Sequence, residues 1–361
     1  MENLARLAIA GFGLVGRRHA DAIAKADGVE LHCVIEPGPA GQAAAFERGI
    51  TCYETLDDFF AHDSADGVIL ATPNRLHVEQ ALVCVVHKCP VLVEKPIATR
   101  SQDAERLVLQ SEEADVPLLV GHHRRHNPLI ARAKEAIDQG LLGDIRAVQA
   151  TCWFYKPDAY FDVAEWRKQS GAGPVSVNLV HDIDLIRYLC GEVKTVRATA
   201  HASKRGYQNE DVAGALLDFE EGAIGTITVS DSVVAPWSWE LTSQEYPIYP
   251  NTTESCYLIG GSRGSMSVPD LRLWHYADGE RDWWSPISID ALRHDATDPL
   301  VNQIVHFADV IRGVADPLVS GREGLQTLRV IEAIQTSART GDAVEIDATL
   351  RLATERKLEN I

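Results

Sequence analysis

With 361 residues, the chain exceeds the usual size of one hydrophobic core, so two domains with a ligand cleft between them are expected. Its 45% hydrophobic and 24% charged residues are those of an ordinary globular protein, and no apolar run is long enough to span a membrane. A net charge of -18 speaks against a nucleic-acid groove, which needs clustered Lys and Arg, and in favour of a neutral or weakly charged small substrate.

At the N-terminus, Met1-Glu2-Asn3 runs straight into Leu4 without the basic region and apolar core of a secretory signal, so a cytoplasmic location is expected. Short β-branched runs then alternate with amphipathic stretches, the pattern of βα units on a parallel sheet. Strands are expected at 6–10, 31–35, 68–71, 91–94 and 118–121, with helices at 16–26, 77–88 and 101–114 among the crossovers. After Asn127-Pro128 a helix over 129–139 leads into strands at 145–154, 195–202 and 223–230, which follow one another as in an antiparallel sheet. Helical patterns cover 174–190 and 299–312, whereas 237–251, rich in Trp, Tyr and Pro, reads as a long surface or pocket loop. The expected fold is α/β: a Rossmann doubly wound parallel sheet over 1–123, then an α+β domain with a large, mostly antiparallel open sheet over 124–361. The seven cysteines, at 33, 52, 84, 89, 152, 190 and 256, form no CxxC pair, and reduced, mostly buried thiols are expected.

Gly11-Phe12-Gly13-Leu14-Val15-Gly16 is a GxGxxG turn directly after the first strand and at the start of a helix, the context of a dinucleotide site. Gly11 permits the tight turn, Gly13 lets the backbone approach a pyrophosphate, and Gly16 allows close helix–strand packing. Glu36, 20 residues after Gly16, is placed to accept hydrogen bonds from ribose hydroxyls and to repel the extra phosphate of NADP, so NAD is the expected cofactor. Thr72-Pro73-Asn74 and Glu94-Lys95-Pro96 follow strands at their C-terminal ends and are expected to line the nicotinamide half, with His77 either a further contact or only a helix-starting residue.

Lys95, between a buried strand and a proline, is a lysine whose ammonium partial desolvation would tune. Together with the GxGxxG turn, Thr72-Pro73-Asn74, Gly121-His122 with Arg124-Arg125, His181-Asp182-Ile183-Asp184, Trp166-Arg167 and Glu323-Gly324-Leu325-Gln326-Thr327-Leu328, it makes the chain resemble the glucose-fructose oxidoreductase/inositol dehydrogenase/MocA family over nearly its whole length. The resemblance implies hydride transfer between C4 of the nicotinamide and a carbinol carbon of a sugar, cyclitol or related polyol, and a Lys-Pro bond in the cis form. By the same resemblance, Lys95 hydrogen-bonds the reacting oxygen and His181 is the general base, a role that suits an imidazole near neutrality.

One position departs from the family pattern: the aspartate four residues before the histidine is replaced by Val177. Asn178 is read as a substrate contact and Asp184 as structural. Arg167, Trp166 and Arg124 are expected to touch substrate; Trp166, Trp153 and Tyr155 form either a sugar-stacking wall or core, and Arg124 alternatively reaches the cofactor or bridges the domains. Trp237 and Trp239 close the pocket or meet another subunit. His122 and His126 have metal-face spacing, but Pro128 limits any helix there and no metal is expected. Two alternatives stand beside the polyol dehydrogenase: a dehydrogenase of cyclic aromatic or carboxylated intermediates, and a non-catalytic NAD-sensing regulator. The open sheet face points to a homodimer or homotetramer, with no nucleic-acid or membrane partner.

Overall fold

The computed structural model describes residues 4–277 and 281–346. Its first parallel strands are short and apolar: β1 (Ala5–Ala10), β2 (Val29–Ile35), β3 (Cys52–Tyr53), β4 (Gly67–Leu70), β5 (Val91–Val93) and β6 (Leu118–Val120). They form a six-stranded sheet in the order β3-β2-β1-β4-β5-β6, and every pairing is parallel. All residues of β4, β5 and β6 are buried, as expected of strands covered on both faces. Helices α1 (Leu14–Ile23), α2 (Pro39–Glu47), α3 (Leu56–His62), α4 (His77–Val86) and α5 (Ser101–Glu113) supply the crossovers, and α6 (Pro128–Asp138) follows. The strand order reverses between β1 and β4, the position where open α/β sheets hold ligands at the C-terminal ends of their strands.

A second, larger sheet begins with β7 (Ile145–Trp153). After α7 (Asp158–Asp162), α8 (Pro174–Val177) and α9 (Leu179–Cys190) come β8 (Val193–Ala202), β9 (Glu210–Phe219) and β10 (Ile224–Ser230). A short α10 (Trp239–Thr242) precedes β11 (Tyr257–Gly261), β12 (Gly264–Val268), β13 (Arg272–His275) and β14 (Ser288–Ala291). Helices α11 (Pro299–Ile311) and α12 (Gly321–Thr340) and strand β15 (Val344–Glu345) complete the described chain. The nine strands run β14-β13-β12-β11-β7-β10-β9-β8-β15, and only β7 with β10 is a parallel pair. A long connection through α7, α8 and α9 makes that parallel pairing possible, because a tight turn cannot join parallel strands. Register places Leu216, Ile224, Leu258, Trp274 and Ile289 on one face, and all but half-buried Trp274 are exposed large hydrophobics.

Contacts divide the chain into two compact units. One ends at Asp138 and takes in Leu292–Leu328; the other holds Gln139–Ala291 and the chain from Arg329 on. The single sequence boundary after residue 123 differs from this. Leu300, Ile304, Phe307 and Ala308 on one face of α11 join Leu7, Ile9, Ala20 and Ile23 in the core of the first unit, so burial draws this late segment back to the parallel sheet. The helix starts where Pro299 follows Asp298, whose carboxylate accepts from Leu300 N.

Three local expectations need correction. The helix expected over 174–190 is two, α8 and α9, which meet at Asn178, the cap of both, at φ -104°, ψ -55°. The stretch 237–251 is not wholly loop: Trp239 opens α10, is 1% exposed and stacks on Tyr257 at 6.0 Å. Its indole is therefore core, leaving Trp237, 39% exposed, as the surface tryptophan. Finally, β9 and β11 to β14, which carry no strong alternation signal, were not anticipated as strands; pairing with neighbours defines them.

Candidate active site

The C-terminal ends of the parallel strands bring the cofactor residues together. Gly11 N donates to Ile35 O at 2.8 Å, Ala71 N to Ala10 O at 2.8 Å, Glu94 N to Leu70 O at 2.9 Å and Gly121 N to Val93 O at 2.7 Å. One sheet edge thus carries the glycine turn, Glu36, Thr72 and Glu94-Lys95. Gly11 has φ +88°, in the region L side chains avoid, and a Cβ there would lie 2.6 Å from Ala71 O. A Cβ on Gly16 would lie 1.9 Å from Gly11 O, so only hydrogen fits between α1 and the turn.

This edge fits a dinucleotide. Nothing lies within 4 Å of a Cβ at Gly13, Leu14 is 72% and Val15 39% exposed, and no side chain caps the ten-residue α1 or places an acid in its first turn. Its N-terminal N–H groups and positive dipole end are open to an anion. Phe12, fully buried, donates its backbone N–H to Glu36 Oε2 at 2.7 Å, while Gly38 N donates to Glu36 Oε1 at 2.7 Å. Glu36 therefore braces the glycine turn, and each carboxylate oxygen keeps a second lone pair for a ribose hydroxyl. A fixed carboxylate opposes a 2′-phosphate. Titration of both coenzymes is expected to give at least ~10-fold tighter NAD binding, about 1.4 kcal/mol; equal or tighter NADP binding would overturn that role for Glu36.

Near the nicotinamide half, Pro73 and Asn74 are exposed, and Thr72 Oγ1 donates to Gln80 Oε1 at 2.6 Å. His77 was counted among the cofactor contacts, and its position corrects this: the ring is 0% exposed, with Nδ1 2.9 Å from Pro96 O and Nε2 2.9 Å from Thr72 O. It ties the two loops together. The Lys95–Pro96 bond is cis, as the resemblance implies. Arg124 is buried within a short 3-10 turn, His123–His126.

A residue that sequence reasoning missed holds Glu94. His19, on α1 and fully buried, places Nε2 2.7 Å from Glu94 Oε1, and Lys95 N donates to Glu94 Oε2 at 3.1 Å. Burial pushes the Glu94 carboxyl up, but the His19 hydrogen bond and the charges of His19, Lys95 and His123 outweigh it and hold the group at about 2. Since this lies below the ordinary 4.5, the stabilisation is complete above pH 4.5 and is lost as pH falls through about 2. His19→Leu is expected to cost about 2–4 kcal/mol at neutral pH. In denaturant unfolding, the gap from wild type should narrow at pH 3; an equal gap at pH 3 and pH 7 would exclude this charge-linked contribution.

The second unit gathers the substrate candidates around the start of α9. His181 and Asn178 are each 9% exposed, and His181 N donates to Asn178 O at 3.1 Å. The Asn178 side chain turns to a residue not foreseen: Lys156 Nζ donates to Asn178 Oδ1 at 2.7 Å and lies 4.9 Å from the centroid of the Tyr160 ring. Arg167 stacks over the same ring at 4.1 Å and donates Nη1 to Tyr160 O at 2.6 Å. Trp166 is 52% exposed with the Arg167 guanidinium 5.7 Å from its ring. Beneath lies Asp231, bonded by Arg205 Nη1 at 2.8 Å and 3.8 Å from Lys156 Nζ. Burial pulls the Lys156 ammonium below the usual lysine value and pushes Asp231 up. Asp184 is buried, and Asp182 is held by the Tyr257 hydroxyl. Lys156-Pro157 at a strand end repeats the Lys95-Pro96 setting, a signal by which it could have been found. Among the described residues, no group of three or more His, Cys, Asp or Glu is arranged to hold a metal ion.

Comparison with known proteins bears on the family and the fold. A family model described as "Oxidoreductase family, NAD-binding Rossmann fold" matches residues 5–122, and the "GFO/IDH/MocA C-terminal domain" model matches residues 130–267. Scyllo-inositol 2-dehydrogenase (NAD(+)) of Bacillus subtilis is 27% identical over 96% of this chain and 98% of its own, and a D-apiose dehydrogenase of Rhizobium rhizogenes is 25% identical over 94% and 96%. The crystal structure of the WlbA dehydrogenase from Bordetella pertussis, solved in complex with NADH and UDP-GlcNAcA, superposes with a TM-score of 0.76 at 29% identity, covering 95% of this chain and 99% of that one. With both family models matched in tandem over most of its length, on a Rossmann sheet followed by an open mixed sheet, the chain belongs to the GFO/IDH/MocA family of NAD-binding oxidoreductases.

Proposed function

We propose that the protein is an NAD-dependent dehydrogenase that moves hydride between C4 of the nicotinamide and a carbinol carbon of a sugar, cyclitol or related polyol. The observation that carries this reading is the strand edge where an uncapped glycine turn, Glu36 and Lys95 meet, built for a dinucleotide with an ammonium beside it. Names of relatives such as scyllo-inositol 2-dehydrogenase and D-apiose dehydrogenase support the substrate class. The turn from Gly11 to Gly16 would hold the pyrophosphate and Glu36 the adenosine ribose; Thr72, Pro73, Asn74 and Glu94 would border the nicotinamide half.

In this reading Lys95 donates a hydrogen bond to the reacting oxygen, and His181 takes the hydroxyl proton during oxidation and returns it during reduction. Asn178, Arg167, Trp166 and Arg124 orient the substrate. The exposed apolar row on the nine-stranded sheet supports a homodimer or homotetramer, to be checked by light scattering, and the protein is read as cytoplasmic. No described helix is long and apolar enough to cross a membrane. The test is NADH formation across a panel of sugars, inositols, lactones and aromatic diols with purified protein. Tight NADH binding without turnover of any alcohol or carbonyl would replace this reading by that of an NAD-sensing regulator.

A further inference from the structure

Hydrogen-bond bookkeeping around Lys156 has a consequence for the substrate. An ammonium can only donate, so the Asn178 atom 2.7 Å away must be the amide oxygen, and the NH2 group of Asn178 is the half left to a ligand. Among the described residues, Asn178 Oδ1 is the one acceptor within hydrogen-bond range of the Lys156 ammonium, so N–H groups remain to be given. Asp231, bonded by Arg205 at 2.8 Å, forms a buried ion pair with Lys156 at 3.8 Å, too long for a hydrogen bond. On the other side of the Tyr160 ring, Arg167 gives Nη1 to Tyr160 O, and its Nε is buried without a partner among the described residues. Three neighbouring groups thus have donors to spare.

Other acids stand in this neighbourhood, and the charges of Glu240 and Glu210 also act on Lys156 without hydrogen-bonding it. Glu210, whose carboxyl burial pushes up, accepts from Val175 N, and Asp211 accepts from Lys204 N. Val177, just before Asn178, is apolar, so the helix start presents no carboxylate there. A polyol hydroxyl both gives and accepts hydrogen bonds, whereas a carboxylate only accepts, and charged acceptors bond to ammonium and guanidinium groups about twice as strongly as neutral ones.

We propose that Lys156, Asn178 and Arg167 form a donor-rich wall that receives a carboxylate, so that the substrate is an acidic sugar or polyol and Lys156 is its specificity-determining cation. This deepens the dehydrogenase reading and rests on it. It also departs from the neutral substrate expected from the net charge of -18, since three side chains at one wall, and not the whole-chain total, meet the ligand.

The test uses matched probes: D-glucuronate against D-glucose and D-galacturonate against D-galactose, each followed by calorimetry on the NAD-loaded protein and by NADH formation. Wild type is expected to favour the uronates by at least about tenfold, and Lys156→Met to lose that preference while keeping its NADH affinity, with a lower Tm because buried Asp231 loses a partner. A merely structural lysine would lower Tm and leave the uronate-to-hexose ratio where it was. If Lys156→Met does not fold, Arg167→Met carries the same ratio measurement, because that guanidinium forms no ion pair among the described residues. Wild type that prefers the neutral sugars, a ratio unchanged in the folded variant, or no binding by either uronate overturns the proposal. Uronate binding that depends on Lys156 without turnover of any probe would uphold the wall and remove the dehydrogenase reading. Turnover of hexoses without regard to Lys156 would do the reverse.

Discussion

His181→Asn is expected to fold and to bind NADH as wild type does, yet to oxidise its alcohol about 10²–10⁴-fold more slowly in kcat, the usual contribution of a positioned general base. Asparagine keeps a polar, hydrogen-bonding side chain, though a smaller one, at a position that is 9% exposed, and the backbone bond from residue 181 to Asn178 O is unaffected. Loss of rate in this variant therefore reports chemistry and not collapse of α9. The effect should fall mainly on kcat, because an interaction made only as the proton moves is absent from the ground state. Near-normal turnover in a folded variant would remove His181 from the reaction. Lys95→Met, compared beside it, should lose rate and, because the Lys95 charge helps hold Glu94, also some stability.

The second large effect separates the two jobs of the glycine turn. In Gly16→Ala the new methyl would lie 1.9 Å from Gly11 O, a backbone atom that cannot give way without moving the turn from α1. The expected result is a stability loss of about 1–3 kcal/mol or more, from overpacking, together with loss of NADH binding. In Gly13→Ala the methyl meets nothing within 4 Å, and Gly13 has φ -72°, which alanine adopts freely. That variant should melt as wild type does and bind NADH at least ~10-fold more weakly, because the added carbon stands where the phosphates would approach. Fluorescence titration and thermal melts on the pair check both. Equal NADH affinity in Gly13→Ala would place the phosphates elsewhere.

Much of the first unit was legible because its signals are local. Apolar runs at β1, β4, β5 and β6, each followed by an amphipathic helix, identify a parallel sheet, and GxGxxG at the first strand end names the ligand edge. Elsewhere the signal was weaker. Trp239 sits among prolines and aromatics that resemble a surface loop, but its indole fills the space beside Tyr257 and becomes core. The α11 segment is strongly amphipathic, so its helix was foreseen; that its apolar face completes the Rossmann core depends on a packing partner almost three hundred residues earlier.

The sequence by itself determined the parallel sheet, the dinucleotide edge, the presence of a second, mostly antiparallel sheet and the family, because spacing along the chain encodes each of them. Tertiary structure alone decided which polar groups meet: His19 with Glu94, His77 with two carbonyls, Lys156 with Asn178. The physical reason is range. Backbone periodicity acts over a few residues, whereas a buried donor is satisfied by whatever acceptor folding brings within about 3 Å, here from 5 to 75 positions away.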